Sequence, residues 1–202
     1  MKPVLHVIVC STRPHRVGSP VGQWAHRVAL AHGGFDVQLV ELADVGLPLF
    51  DEPEHPKSGN YQHAHTRRWS QQVDGADAFV FVMPEYNYGP PPSWLNAMTY
   101  LVREWHYKPA AFVSYGGVGG GMRAVQVAKQ LLTTFKVVPL LEAVAIPWVA
   151  RRIVDGAFEA TPEEGVACEA MLKELLRWAE VLPALRSSGS ASRQEAAPAL
   201  VR

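Results

Sequence analysis

The sequence has little cysteine and no excess of charge of either sign. Its 202 residues include two cysteines, Cys10 and Cys168, which lie far apart and form no CxxC pair. This argues against a disulfide scaffold and against a cysteine-based zinc site, and it fits a reducing compartment. Lysine plus arginine number 19, as do aspartate plus glutamate. The chain therefore lacks the positive field that a broadly nucleic-acid-binding protein needs.

Long hydrophobic runs are missing as well. The N-terminus is apolar only up to residue 10 and then turns polar at STRPHR, which is too short for a signal peptide. No stretch reaches the roughly 18 apolar residues of a membrane-spanning helix. We therefore expect a cytoplasmic protein without a membrane partner. With 48% hydrophobic residues, the chain has the composition of a globular protein and the length of one α/β domain.

Short apolar runs alternate with segments of helical spacing along the chain. The predicted strands are Val4–Cys10, Phe35–Leu42, Ala78–Met83, Ala110–Tyr115 and Val137–Ile146. The predicted helices are Val21–His32, residues 61–74, Ser93–Glu104, Arg123–Phe135 and Pro162–Leu182. Residues 44–60, rich in proline and glycine, are predicted to form a long surface loop.

Strands that alternate with helices form parallel βαβ units with right-handed crossovers. Residues 1–186 are therefore predicted to be one α/β three-layer sandwich. Its five-stranded parallel sheet is expected in the order 2-1-3-4-5, which fits better than a six-stranded Rossmann sheet. Residues 187–202, rich in serine, alanine and proline, are predicted to form a disordered tail.

In such sheets a ligand binds outside the carboxyl ends of the strands, so the strand exits are the places to inspect. The first exit, CSTRPHRVGS at residues 10–19, leads into a helix N-terminus and carries hydroxyls and two arginines. These groups suit a phosphate, although a polar loop with an ordinary hydroxyl cap is the alternative. The segment has neither GxGxxG nor GxxxxGK[ST], which argues against dinucleotide-fold and P-loop sites.

Two further exits have unusual residues. The second, MPEYNYGPPP at residues 83–92, combines backbone-fixing prolines with two tyrosines, as a rigid wall for a planar ligand would. The third, SYGGVGGG at residues 114–121, has five glycines in its last six positions. Glycines let a backbone approach a ligand closely and present its N–H groups. A proline-rich turn and a flexible loop are the alternatives.

Together the three exits resemble the NADPH-dependent FMN reductase family, which is flavodoxin-like in fold. The motifs are STRPxRxG after the first strand, PEYN after the third and EWxxKPxxxVSYGG around the fourth. The resemblance runs from about residue 4 to about residue 147.

The resemblance implies an FMN site. The residues that would hold the FMN phosphate are Ser11, Arg13 and Ser19. Arg16 would lie beside them or bind the phosphate of the nicotinamide cofactor. The residues that would line the isoalloxazine ring and the ribityl chain are Pro84, Glu85, Tyr86 and Asn87. Those that would cover the other edge of the ring are Ser114, Tyr115, Gly116 and Gly117.

The function implied is an FMN-dependent NAD(P)H oxidoreductase. NADPH would be the co-substrate, and free flavin, a quinone, an azo or a nitro compound would be the acceptor. No protein residue is predicted to be catalytic, because the flavin carries the chemistry. A homodimer or homotetramer is implied too. One alternative is a flavodoxin-like electron carrier without NADPH oxidation of its own, although such carriers are usually acidic and this chain is neutral.

A second alternative is a specialised biosynthetic flavin reductase, suggested by departures from the family pattern. Leu95 and Thr99 stand where the family usually has Lys and Asp in PxxLKNAxD, and Cys10 stands where it usually has Gly. These changes lie near the expected ring site and dimer contact, so they bear on the choice of acceptor.

Other residues invite weaker hypotheses. Of eight histidines, only His63 and His65 form a close pair, without partners at zinc-site spacing, so no metal is predicted. Cys10 is expected to be a buried small residue rather than a reactive thiol. Arg151 and Arg152 are expected to be a solvated pair. Three tryptophans are assigned to either the core or an interface: Trp94, Trp105 and Trp148.

Overall fold

The computed structural model describes residues 1–186, which form a parallel sheet with helices on both faces. The strands of the sheet are β1 (Val4–Val9), β2 (Asp36–Glu41), β3 (Ala78–Pro84), β4 (Pro109–Tyr115) and β5 (Val138–Ile146). Neighbouring strands pair in parallel in the order β2-β1-β3-β4-β5. The predicted fold and strand order are confirmed. The predicted tail, 187–202, lies outside the described residues.

The helices divide into two layers. They are α1 (Gly18–His32), α2 (Leu42–Val45), α3 (Ala64–Asp74), α4 (Pro92–Thr99), α5 (Met122–Thr134) and α6 (Pro162–Val181). Apolar side chains of α1 and α6 pack on one face of the sheet, and those of α3, α4 and α5 pack on the other. The central strand β3 serves both layers, with Val80 and Val82 on the first face and Phe79 and Phe81 on the second. This is the two-residue alternation of a strand buried on both sides.

The helix after the second exit is shorter than predicted. It ends at Thr99 rather than Glu104, and a 3₁₀ turn follows at Arg103–Trp105. Two buried indoles explain the early end, since Trp69 Nε1 donates to the Ala97 carbonyl at 2.9 Å and Trp105 Nε1 donates to the Met98 carbonyl at 3.3 Å. Such bonds satisfy carbonyls at a helix end, which lack partners within the helix.

Two other local predictions need correction. The 44–60 segment is not wholly loop, because α2 extends to Val45 and a 3₁₀ turn occupies Pro56–Ser58. A hairpin of β6 (Ile153–Val154) and β7 (Ala157–Phe158) was not predicted. Both residues of its Asp-Gly turn have positive φ. An Asp-Gly pair is a common sequence signal for a tight hairpin, because it tolerates this conformation.

The strand order decides where a site can form. Because β1, β3 and β4 are neighbours and run in parallel, their carboxyl ends meet at the same edge of the sheet. The loops that follow them are the three exits identified from the sequence. Among residues 1–186, no helix is long and apolar enough to cross a membrane.

Candidate functional site

Hydroxyl groups from all three exits meet at this edge. Ser11 Oγ lies 2.7 Å from the Tyr86 hydroxyl, which links the first exit to the second. Tyr115, at the third exit, is 4% exposed, and burial raises the pKa of its phenol while the neighbouring Ser11 hydroxyl partly offsets the rise. A Cβ placed on Gly18 would lie 2.5 Å from the Tyr115 hydroxyl. Glycine at position 18 therefore lets α1 begin directly against this cluster.

The start of α1 has the features of an anion site. The helix begins with no side-chain cap hydrogen bond and no acidic residue in its first turn, so the amides of Gly18 and Ser19 are left to other partners. Arg13 is exposed, and within residues 1–186 it has no carboxylate partner. Free amides at a helix N-terminus together with a guanidinium attract phosphate.

Arg16 is in a different situation from Arg13. Its Nε and Nη2 both lie 2.9 Å from Glu41 Oε2, at the end of β2. The two side chains are partly buried, so the charge of Arg16 is largely matched within the chain. Arg13 is the arginine of this loop whose charge is available to a ligand.

The second exit is a strained two-residue turn. Tyr86 and Gly89 exchange backbone hydrogen bonds of 2.9 Å in both directions, and Asn87 and Tyr88 between them have φ of 49° and 67°. Asparagine tolerates the left-handed region, but a bulky tyrosine there costs about 1–3 kcal/mol. The surrounding contacts must hold this turn in place.

One such contact is the ion pair between Glu85 and Arg123. Glu85 Oε1 lies 2.7 Å from Arg123 Nη2, and the Arg123 backbone N–H donates to Glu85 Oε2 at 3.2 Å. The guanidinium also stacks 4.1 Å from the centroid of the Tyr88 ring. Glu85 therefore caps the start of α5 and ties the second exit to the third. Arg123 was not identified from the sequence, although an arginine just after a glycine run at a helix start was the available signal.

The glycine-rich third exit is tight in one part and open in another. Ser114 Oγ donates to the Gly120 carbonyl at 2.8 Å and closes the loop from inside. Gly121 has φ of 85°, and a Cβ there would lie 2.7 Å from the Tyr115 backbone nitrogen, so no side chain fits. A Cβ on Gly117, by contrast, would meet nothing within 4 Å. The backbone at Gly117 is therefore not covered by neighbouring atoms on that side.

The exit of β5 borders the same loop, which the sequence did not suggest. The Trp148 N–H donates to the Gly117 carbonyl at 3.1 Å, and Trp148 has φ of 53° with 49% of its surface exposed. Trp94 and Trp105, by contrast, are buried in the core at 1% and 0% exposure. The structure thus places two of the three tryptophans in the core and one at the rim of the site.

A groove of about 430 Å³ lies beside the first exit. It runs between that exit, α2 with its following turn, and the start of α4. The residues lining it include Thr12, Leu47, Leu49, Pro92 and Asn96, and the lining has no charged side chain. The groove is therefore suited to a neutral, largely apolar molecule.

Comparison with known proteins identifies the family. The family model for NADPH-dependent FMN reductase matches residues 3–150. The chain belongs to the NADPH-dependent FMN reductase family. An NAD(P)H-dependent FMN reductase of Schizosaccharomyces pombe is 36% identical over 168 residues, covering 81% of this chain and 84% of the relative. One from Nectria sp. is 34% identical over 180 residues, covering 86% of each.

A solved structure shares the fold of this FMN reductase family member. It is the flavoenzyme NAD(P)H:(acceptor) oxidoreductase of Paracoccus denitrificans, at 20% identity and a TM-score of 0.71. The alignment covers 89% of this chain and 98% of that one. The family match also spans the stretch over which the three motifs resemble the family.

The candidate site residues of this FMN reductase suit the chemistry of FMN in three respects. The first turn of α1, which has no acidic residue and lies beside Arg13, suits the phosphate of FMN. The turn at 84–89 is fixed by prolines and by backbone hydrogen bonds, and a Cβ on Gly117 would meet nothing within 4 Å. Pro84 is buried at the end of β3, and its partner across the ladder is Tyr115.

Other candidate residues of the reductase have structural roles. Burial raises the pKa of the Cys10 thiol, so it is not poised as a thiolate, and the Ser93 hydroxyl donates to the Cys10 carbonyl at 2.5 Å. His63 and His65 stack at 5.1 Å, and His65 Nε2 lies 3.1 Å from Asp51 Oδ1. In the part of the chain that the structure describes, no group of three or more His, Cys, Asp or Glu side chains is placed to hold a metal ion.

Proposed function

We propose that this chain is an NAD(P)H-dependent oxidoreductase that binds FMN at the shared edge of β1, β3 and β4. Electrons would pass from NAD(P)H to a small-molecule acceptor such as free flavin, a quinone, an azo or a nitro compound. The observation that carries the proposal is the hydrogen bond between Ser11 and Tyr86 beside the open start of α1. It joins the two motif loops that FMN would have to bridge.

The phosphate end is assigned to the first exit. The Arg13 guanidinium would donate charged hydrogen bonds to the phosphate. The backbone N–H groups of Gly18 and Ser19 would donate to it from the helix start, and the Ser11 hydroxyl would donate as well. Arg16 is assigned a supporting role, since Glu41 already binds its guanidinium.

The ring end is assigned to the second and third exits. The turn from Pro84 to Asn87 would form one wall, and residues 114–117 would cover the other edge. The Glu85–Arg123 pair would keep the two loops at a fixed separation, which preorganises the site. Bound FMN would supply the two-electron chemistry between nicotinamide and acceptor.

The uncharged groove beside Thr12 borders the loop assigned to the phosphate, and none of its lining residues belongs to the walls assigned to the ring. The side chain of Asn96 in this groove already has hydrogen-bond partners. Its Nδ2 donates to the Pro48 carbonyl at 2.6 Å, and its Oδ1 accepts from the Phe50 N–H at 2.9 Å. The Ser93 hydroxyl also has a partner, because it donates to the Cys10 carbonyl. A neutral molecule, which needs few polar partners, suits this groove better than an anionic one.

We further propose FMN as a resident cofactor rather than a co-substrate, and a homo-oligomeric assembly. Trp105 and Lys108 are buried inside the protomer and are therefore not available for contact with a second copy. The outer face of α4, where Leu95 is 42% exposed, is the surface available for contact.

The test is an absorbance spectrum of the purified protein, recorded before and after addition of FMN and then NADPH without oxygen. We expect flavin bands that bleach with NADPH and return on addition of a quinone. Bleaching that fails with NADPH but succeeds with a chemical reductant would favour the electron carrier. A colourless protein that does not bind added FMN would overturn the proposal.

The specialised reductase is distinguished by its acceptors. Leu95 is exposed on α4, and Thr99 donates its hydroxyl to the Leu95 carbonyl at 2.8 Å within the helix. If these residues narrow the acceptor range, the double variant Leu95→Lys, Thr99→Asp should turn over generic quinones faster. An unchanged rate would remove the argument for specialisation.

A further inference from the structure

The exit of β5 has an aromatic–cation pair that the proposed FMN site does not use. It consists of the side chains of Trp148 and Arg151, called here the Trp148–Arg151 pair. The Arg151 guanidinium carbon lies 5.0 Å from the centroid of the indole. Trp148 keeps 49% of its surface exposed, so its side chain is accessible to a ligand.

The backbone holds this pair next to the candidate site. Trp148 and Val149 donate their N–H groups to the carbonyls of Gly117 and Gly116, at 3.1 and 3.3 Å. Arg151 in turn donates its N–H to the Trp148 carbonyl at 2.9 Å. Trp148 is kept at a φ of 53° by these bonds, a conformation that bulky side chains rarely adopt. The pair is therefore fixed relative to the glycine loop that would cover the flavin ring.

The charge of Arg151 is available, unlike that of two arginines nearby. Arg123 is paired with Glu85 at 2.7 Å, and Arg152 is paired with Glu164 at 3.1 Å and stacks on Phe158. Arg152 is thus a structural residue rather than a solvated one. Arg151 is exposed, and no carboxylate lies within ion-pair distance of it in residues 1–186.

We propose that the Trp148–Arg151 pair binds the adenosine end of NADPH. The purine would stack on the indole, and Arg151 would donate to the 2′-phosphate that distinguishes NADPH from NADH. A flat aromatic face beside a free guanidinium matches this combination of planar ring and phosphate. The inference rests on the proposed function, because it assumes that the nicotinamide end reaches the flavin past the open position at Gly117.

The first test needs no flavin and no turnover. Binding of adenosine 2′,5′-bisphosphate and of AMP is measured by calorimetry on the wild type, Arg151→Gln and Trp148→Leu. We expect the wild type to prefer the bisphosphate, and Arg151→Gln to weaken its binding about tenfold or more, as the loss of a charge-assisted hydrogen bond does. Trp148→Leu should weaken both ligands. Equal affinity of the wild type for the two nucleotides would overturn the proposal.

The second test uses the FMN-loaded enzyme and compares KM for NADPH with KM for NADH. Arg151→Gln should raise KM for NADPH alone and leave kcat and FMN affinity unchanged. Arg177→Gln is the matched control, because Arg177 is an exposed arginine paired with Glu174 on α6. Equal change for both nicotinamides would count against a 2′-phosphate contact. A Trp148→Leu effect on acceptor KM or on oligomeric state alone would show that the indole serves another partner.

The two proposals fail in different ways. If the wild type binds no FMN but prefers the bisphosphate through Arg151, the proposed flavin chemistry is wrong and the nucleotide site stands. If FMN binds and bleaches normally while Arg151→Gln changes neither measurement, the nucleotide site is wrong and the flavin site stands.

Discussion

The hydroxyl of Tyr86 lies 2.7 Å from Oγ of Ser11, a contact between residues that are 75 positions apart in the chain. Ser11 follows β1, and Tyr86 belongs to the strained turn after β3. The bond therefore connects the loop assigned to the FMN phosphate with the loop assigned to its ring. Ser11 is buried and Tyr86 is partly buried, so loss of the Tyr86 hydroxyl removes a hydrogen bond that water replaces only in part.

Replacing Tyr86 by phenylalanine tests this connection. We expect Tyr86→Phe to lower the free energy of unfolding by about 0.5–1.5 kcal/mol and to weaken FMN binding several-fold. FMN affinity is measured by quenching of flavin fluorescence. The control is Tyr61→Phe, which removes a 2.8 Å bond from Tyr61 to Glu104. An equal loss of FMN affinity in both variants would show a general effect of destabilisation.

Gly18→Ala should damage both stability and binding. The new Cβ would lie 2.5 Å from the Tyr115 hydroxyl and 3.2 Å from Val9 Cγ1, so a buried tyrosine or the start of α1 must shift. We expect a loss of about 1–3 kcal/mol in urea unfolding, with weaker FMN binding. Gly165→Ala is the control, since its Cβ meets nothing within 4 Å and should stabilise α6 by about 0.5–1 kcal/mol. A fully stable Gly18→Ala variant would contradict the tight packing.

Glu41→Gln should increase the affinity for the FMN phosphate. The substitution removes the carboxylate that lies 2.9 Å from Arg16, so the positive charge of Arg16 becomes available beside Arg13. We expect the dissociation constant of FMN to fall several-fold while that of riboflavin, which lacks the phosphate, stays unchanged. Stability should fall modestly with the loss of the ion pair. An unchanged ratio of the two dissociation constants would mean that the phosphate lies away from Arg16.

The stability of the fold should depend on pH through His6. Burial in β1, aided by the charge of Lys108, lowers the pKa of His6 from 6.5 to about 4. The unfolded chain then binds more protons than the folded one between these values, so the free energy of unfolding falls as pH falls through this range. At about 1.4 kcal/mol per pKa unit the full loss, reached below pH 4, is about 3 kcal/mol, of which about 2 kcal/mol falls between pH 7 and pH 5.

Urea unfolding at pH 7 and pH 5 measures this dependence. His6→Gln should remove much of the difference between the two pH values. His26→Gln, in the partly exposed face of α1, should retain it. A pH dependence that is the same in both variants would assign the effect to other groups.

Hydrophobic patterning was sufficient for the fold. Runs such as Ala78–Met83 are apolar on both faces, as a strand covered on both sides requires. Their alternation with helices predicts parallel βαβ units, and 2-1-3-4-5 is the order that five such strands fit best. The end of α4 was not predictable in the same way. Its last carbonyls are satisfied by Trp69 and Trp105, which lie outside the helix, so no local pattern in residues 93–104 marks Thr99 as the end.

The three strand exits were also readable from the sequence, because their prolines, glycines and hydroxyls follow buried strands directly. What the sequence could not specify is which charges are free. The sequence does not show which of Arg13, Arg16 and Arg151 has a carboxylate partner. The tertiary structure pairs Arg16 with Glu41 and leaves the other two without a carboxylate within the described residues.

The sequence by itself determined the alternation of strands and helices, the strand exits that carry the candidate site and the family to which the chain belongs, because these follow from local periodicity and from contiguous motifs. Only the tertiary structure decided that Glu85 caps α5 through Arg123, that Tyr86 reaches Ser11 and that Trp148 borders the glycine loop. Each of these contacts joins residues distant along the chain. They depend on how neighbouring strands bring their exits together, which periodicity and short motifs do not encode.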